Sequence, residues 1–236
     1  NDGGASWNAV LGLDTTVLQY QEYTDLRVSP TGVWYAAFSN PGPQKGIWRS
    51  TNGLTWTQIG AGEWPANAVR TVLAIDPQNE NVVHFFGVTG GVGTNGHSLW
   101  KYTYLSGDGS GTGGQWTNLS TNLPNDNCTG YFTFNFGPIN TQDGYDMCIV
   151  AHPTQVNTIY IGGTNIYRST DGFTSPGSTT WMGGYRCNTS DPKSYVYPLH
   201  HPDQHWMQFH PSDPNTLFST NDGGIQKTTD ALADSV

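Results

Sequence analysis

The sequence predicts an all-β chain whose short antiparallel sheets radiate from one axis as the four-stranded blades of a β-propeller. Three observations carry that expectation: a hairpin sequence that returns at spacings of 50 to 63 residues, a proline-ended strand that keeps step with it, and a composition without helical character. The 236 residues include 30 glycines, 14 prolines, 9 tryptophans and 12 tyrosines, while charged residues make up only 11%. That mixture supplies turns and apolar bulk, and it excludes a coiled coil and a disordered acidic tail. The formal charge of −9 opposes nucleic acid and anionic lipid, and no apolar run approaches the ~20 residues of a membrane helix. Neither nucleic acid nor membrane insertion is expected.

The hairpin repeat comes first. Residues 47–56 read Ile-Trp-Arg-Ser-Thr-Asn-Gly-Leu-Thr-Trp, residues 166–172 read Ile-Tyr-Arg-Ser-Thr-Asp-Gly, and residues 225–230 read Ile-Gln-Lys-Thr-Thr-Asp. Asp2-Gly3-Gly4-Ala5-Ser6-Trp7 matches the second half of the unit, and Leu99-Trp100-Lys101-Tyr102 with Asp108 and Gln115-Trp116 is a degenerate copy. The markers Asp2, Asn52, Asp108, Asp171 and Asp230 stand 50, 56, 63 and 59 residues apart, giving repeats of about 1–52, 53–108, 109–171 and 172–230 in one domain.

The second landmark is a strand closed by proline. It occurs as Leu26-Arg27-Val28-Ser29-Pro30, Leu73-Ala74-Ile75-Asp76-Pro77, Ile149-Val150-Ala151-His152-Pro153 and Met207-Gln208-Phe209-His210-Pro211, each followed by a polar turn and a further apolar strand. Each repeat thus holds three or four short strands broken by Gly, Pro, Asn and Asp. Such a sheet cannot bury both faces alone and must stack on its neighbours, which is the arrangement of propeller blades. Two tandem sandwiches are the alternative.

The repeated turn reads as structural. An Asp or Asn at its head accepts backbone N–H bonds, the next Gly takes positive φ, the Ser or Thr before it bonds locally, and the Trp after it folds over as an apolar lid. Asp2, Trp7, Ser50, Asn52, Gly53, Trp56, Ser169, Asp171, Gly172 and Asp230 are assigned to this role, and Asn52 shows that no carboxylate is required there.

On these residues, Ser50-Thr51-Asn52-Gly53-Leu54-Thr55-Trp56 and Asp2-Gly3-Gly4-Ala5-Ser6-Trp7, the chain resembles the Asp-box or BNR-repeat propellers. That family includes sialidases, xyloglucan-cleaving hydrolases, sortilin-type receptors and a photosystem assembly factor. The segment from Asp203-Gln204-His205-Trp206 to Asn221-Asp222-Gly223-Gly224-Ile225 looks most like the secreted bacterial BNR proteins described as glycosyl-hydrolase-like. The resemblance implies a propeller of six or more blades, so the roughly four repeats here are expected to be part of a larger one. It implies little about activity, since one fold hosts many functions.

Candidate chemistry gathers at the strand entrances. Asp146 and Asp203 are the acids for a glycosidase reading, which needs two carboxyls flanking the scissile bond. Asp203 and His205, two apart at a strand start, are the alternative ligands for a divalent cation; no cofactor is otherwise implied. Asp25 falls at a matching place in the first repeat. A sialidase is not supported, because five arginines include the box-linked Arg49 and Arg168, and the Arg-Ile-Pro opening motif is absent. Binding requires less: Tyr185, Tyr195 and Tyr197 are the aromatic candidates, whereas Phe132, Phe134 and Phe136 alternate as one buried strand.

Three cysteines, Cys128, Cys148 and Cys187, suggest one disulfide, either Cys128–Cys148 or Cys128–Cys187. Low lysine content and abundant Asn, Ser, Thr and Trp point to a secreted or cell-surface protein, expected to be a processed product or a piece of a longer chain. Asp14-Thr15-Thr16 and Asp234-Ser235-Val236 resemble the O-glycosylation signal of the Bacteroidota. The expected function is a glycan- or protein-binding or scaffolding module, or an assembly subunit, with a glycoside hydrolase as the alternative.

Overall fold

The computed structural model describes residues 3–11, 24–39, 44–126, 128, 135–186 and 195–233. Four antiparallel sheets follow one another along the chain. The first holds β1 (Thr24–Val28), β2 (Trp34–Phe38), β3 (Gly46–Ser50) and β4 (Thr57–Gln58). The second holds β5 (Arg70–Asp76), β6 (Asn79–Val88), β7 (His97–Tyr104) and β8 (Gly114–Asn118). The third holds β9 (Cys148–Ala151), β10 (Ile159–Gly162), β11 (Ile166–Ser169) and β12 (Thr179–Gly183). The fourth has three strands among the described residues, β13 (Gln204–His210), β14 (Asp213–Asn221) and β15 (Gly224–Thr228). Each sheet runs in simple chain order from its innermost strand outward, and the four form a four-bladed propeller.

The proline landmark explains why the first strand of each sheet lies innermost. Pro30, Pro77 and Pro153 end the strand at the axis, where a missing N–H costs no ladder bond, and all three line a central cavity of about 370 Å³. Arg27, Leu73, Ile149 and Trp206 contribute to the same cavity, so β1, β5, β9 and β13 surround one channel. The Arg27 guanidinium lies 4.9 Å from the Trp206 ring and brings the first and fourth blades together across the axis. Along β13 the expected alternation appears: Met207 and Phe209 are buried, while Trp206, Gln208 and His210 are exposed.

Three apolar clusters fill the spaces between blades. Tyr35, Ile47 and Ile59 of the first blade pack with Phe85 and Tyr102 of the second, with Trp116 of β8 wedged against them. Phe86, Leu99 and Leu119 pack with Ile149, Ile161 and Tyr167, with Trp181 of β12 against them. Tyr160, Ile166 and Met182 pack with Met207, Phe209 and Leu217. Burying aromatics of this size accounts for the tryptophan-rich composition.

The hairpin turns are built as their residues dictate. Asn52 Oδ1 accepts from the N–H groups of Leu54 and Thr55, both at 2.8 Å, Ser50 Oγ accepts from Gly53 N at 2.9 Å, and Trp56 Nε1 donates to Gly53 O at 3.3 Å. Asp171 accepts from Ser169 Oγ at 2.9 Å, Thr174 N at 3.1 Å, Ser175 Oγ at 2.7 Å and Ser178 Oγ. Gly53 and Gly172 hold φ of +70° and +69°, where a Cβ would be strained. Burial alone raises the Asp171 pKa, but the hydrogen bonds from Ser178, Ser175, Ser169 and Thr174 outweigh it and hold the carboxyl well below its usual range. At the last hairpin, Asp230 N donates to Thr228 Oγ1 at 3.1 Å.

Three expectations need correction. Trp7 is 90% exposed and lids nothing, because residues 3–11 form no strand that would bring a sheet beneath it. Phe136 is not on a buried strand; it is half-buried in irregular chain. Cys148 is a free, buried thiol, which removes the Cys128–Cys148 pairing. Asp2, the Asp14 and Asp234 tripeptides, Phe132, Phe134 and Cys187 lie outside the described residues.

Candidate functional site

All four inner strands begin at the same end of the channel, so residues at or just before those starts share one face of the propeller. The loop leading into β9 is fixed before it reaches that face. Thr141 Oγ1 accepts from Gly144 N at 3.2 Å and pairs with His97 Nε2 at 2.8 Å, while Arg70 donates to the carbonyls of Gly144 and, at 2.9 Å, Tyr145. Gln142 and Asp143 adopt φ of +48° and +57°, the left-handed turn that aims the loop back at the fourth blade. This delivers Gln142, Tyr145 and Asp146 to the channel mouth.

The fourth blade supplies the other half. Asp203, with φ +70°, is tied by its N–H to Thr164 O at 3.0 Å, and its Oδ1 accepts from Gln142 Nε2 at 2.9 Å. His205 Nε2 lies 2.6 Å from Asp222 Oδ1, and its Nδ1 lies 3.9 Å from Asp146 Oδ1. The Tyr145 ring meets the His205 ring edge-on at 5.0 Å and is 62% exposed. Asp222 sits at the tip of the β14–β15 hairpin, whose turn is closed by Gly223 N donating to Asn221 Oδ1 at 3.0 Å.

Asp146 and Asp203 stand at the same mouth, Asp146 opposite His205 and Asp203 held by Gln142. Asp146 is fully buried, and no described N–H or hydroxyl donates to either of its oxygens. Burial and then the facing Asp203 carboxylate push the Asp146 pKa up to about 7, while burial and Asp222 raise that of Asp203. The Asp203 carboxylate thus disfavours the charged form of Asp146, and Asp222 that of Asp203, as neighbouring like charges do.

An aromatic shelf adjoins the acids. Phe136 stacks on Tyr185 with ring centroids 4.2 Å apart and planes at 16°, and Tyr195 extends the stack at 6.4 Å and 21°. Tyr197 stands beside Arg186, whose guanidinium is 5.9 Å from its ring. Tyr185 N donates to Asn165 Oδ1 at 2.7 Å and Asp203 N donates to the adjacent Thr164 O at 3.0 Å, so shelf and acids are held on the same β10–β11 turn; burial and then the Asp203 carboxylate raise the Tyr185 pKa.

Asp25 does not join this group: its Oδ2 accepts from Leu73 N at 3.0 Å and its Oδ1 binds Arg27 at 2.5 Å, so it links the first two inner strands. Among the described residues, no group of three or more His, Cys, Asp and Glu converges as metal ligands, and Asp203 and His205 face Gln142 and Asp222 instead. Sequence reasoning missed Asp222, Gln142 and the stacking role of Phe136. Only the Asn-Asp-Gly-Gly turn signal at residues 221–224 marked that loop, and nothing local ties it to residue 146.

No protein-family model and no curated protein matches the sequence. Among solved structures, the chain is similar to YCF48 from Cyanidioschyzon merolae, with a TM-score of 0.50 and 16% identity over 95% of this chain and 60% of that one. It also resembles the α-L-arabinofuranosidase Arb93a from Fusarium graminearum (TM-score 0.44, 11% identity, 84% of this chain and 52% of that one). A third likeness is the GH74 xyloglucanase from Xanthomonas campestris (TM-score 0.43, 13% identity, 87% and 34%). The chain thus spans 60% or less of these proteins' lengths, and YCF48 shares its propeller fold.

Proposed function

We propose that the chain is an Asp-box propeller that binds glycan at the channel mouth, as a secreted or cell-surface module. The observation that carries this reading is the aromatic shelf of Phe136, Tyr185 and Tyr195 set against Asp203 and Asp222. Aromatic faces suit the C–H faces of sugar rings, and carboxylates and amides at their edge accept sugar hydroxyls. The hairpins around Asn52 and Asp171 have the hydrogen bonding that the Asp-box resemblance requires. The free Cys148 leaves Cys128–Cys187 as the proposed disulfide, in keeping with an oxidising compartment.

Glycan-array screening followed by calorimetry on the best ligand tests the reading. Tyr185→Ala is expected to weaken binding by about tenfold or more, equivalent to ~1.4 kcal/mol, with the chain still folded and destabilised by about 1–2 kcal/mol through the lost stacking on Phe136. An empty array, or affinity indifferent to Tyr185, would count against it. The raised pKa of Asp146 favours one second reading, a hydrolase using that acid. Release of reducing sugar by the wild type and its loss in Asp146→Asn would replace the binding reading with that one.

A further inference from the structure

The channel mouth carries more negative charge than its own described residues balance. Asp203 stands immediately before Gln204 and Asp222 immediately after Asn221, and Gln204 and Asn221 form the pair that ends the β13–β14 ladder at this face. The two carboxyls are therefore cross-strand neighbours. Like charges in that relation repel.

A third carboxyl lies behind them. Asp146 is fully buried, neither of its oxygens accepts from a described N–H or hydroxyl, and His205 Nδ1, 3.9 Å from its Oδ1, stands outside hydrogen-bonding reach. It faces Asp203, the charged group that acts on it most strongly. Buried polar atoms nearly always have partners, so an orphaned carboxyl behind an open mouth calls for a reason.

The cations of this face are engaged elsewhere. Arg27 is bound to Asp25, Arg70 donates to the carbonyls of Gly144 and Tyr145, and the Arg186 guanidinium lies by the Tyr197 ring. His205 turns its Nε2 to Asp222 at 2.6 Å. The charged groups acting most strongly on Asp146 and Asp203 are carboxylates and histidines, with no lysine or arginine among them.

A positive charge on the ligand would relieve this repulsion. A hydroxyl can donate to one carboxylate but leaves the two charges opposed, whereas an ammonium brings three donors and a charge, enough to bridge Asp203 and Asp222. Clefts lined by one sign of charge gather ions of the other, and aromatic faces attract cations as well. Tyr185 and Tyr195 supply such faces beside the acids, and Tyr145, 62% exposed, stands against the His205 ring.

We propose that the glycan taken at this mouth is an amino sugar with an unacylated amine, its ammonium bridging Asp203 and Asp222 while its ring lies on the Tyr185–Tyr195 shelf. The proposal rests on the glycan reading above and names the substituent that the acids select. An N-acetylated sugar lacks the charge, and a carboxylated one is repelled.

Calorimetry on the full chain at about pH 6 tests this with β-1,4-linked tetramers of glucosamine, N-acetylglucosamine and glucose. The glucosamine tetramer is expected to bind about tenfold or more tightly than the other two, and to lose most of that margin in Asp222→Asn, in Asp203→Asn and at high salt. Tyr185→Ala should weaken all three. Equal affinities that all fall in Tyr185→Ala, or array hits confined to neutral sugars, overturn the ammonium assignment and leave the glycan reading standing. No binding by any tetramer together with an empty array removes both. A margin for glucosamine that neither aspartate variant reduces also overturns it, as does equal affinity for a lysine tetrapeptide, which would make the mouth a site for basic peptide.

Discussion

The interface between the second and third blades and that between the third and fourth are built from the same parts, with one omitted. Both bury tyrosine, aliphatic and methionine side chains between neighbouring sheets, but among the described residues the earlier one has an indole from an outermost strand, Trp181, against it, while the later one opens on a cavity of about 450 Å³. The difference teaches that the inner three strands of a blade settle its position at the axis, while the fourth strand seals the outer part of the joint. A second contrast runs with it. Arg49 in β3 and Arg168 in β11 are both buried at the same place in their hairpins, but Arg49 donates only to the backbone of Asp108 at 3.4 Å, whereas Arg168 donates to Ala231 O at 2.9 Å and Ala233 O at 2.8 Å.

The sharpest way to break the comparison is Arg168→Ala. It strands two buried carbonyls and is expected to destabilise the chain by about 4 kcal/mol in urea unfolding, against about 2 for Arg49→Ala. Equal losses would mean that the two arginines are not differently engaged. Trp181→Ala comes next: it would give the second joint the same hollow as the third, at ~3 kcal/mol, and a variant no less stable than wild type would remove the sealing role.

The smallest effect concerns pH. A carboxyl whose folded pKa lies above its unfolded value binds more protons when folded, so stability falls as pH rises from about 4 to about 7. Asp146→Asn is therefore expected to flatten that fall and to be more stable than wild type at pH 8 by ~2 kcal/mol. Parallel curves for the two proteins between pH 4 and 8 would show that Asp146 titrates normally.

Much of the fold was legible in the sequence because its signals are local. The Ser-Thr-Asn-Gly and Ser-Thr-Asp-Gly turns encode their own hydrogen bonds, and the prolines at 30, 77 and 153 mark the axis ends of three inner strands. The site was legible only in pieces. Asp146 and Asp203 lie at equivalent strand entrances, yet their contact depends on a left-handed turn at Gln142 and Asp143 that no spacing rule announces. Asp222 reads as an ordinary turn residue, and its pairing with His205 arises from the β13–β14 bulge at Gln204 and Trp206. Trp7 was misjudged for the converse reason: its motif is right, but a lid needs a sheet beneath it.

The forward reach of those arginines gives the ring a polarity. Each guanidinium grips the hairpin of the blade that comes later in the chain, so the grip on Ala231 and Ala233 depends on the final hairpin staying closed, while the grip on Asp108 does not. Loosening the turn that follows β15 should therefore weaken the joint between the third and fourth blades and leave the joint between the first and second unchanged.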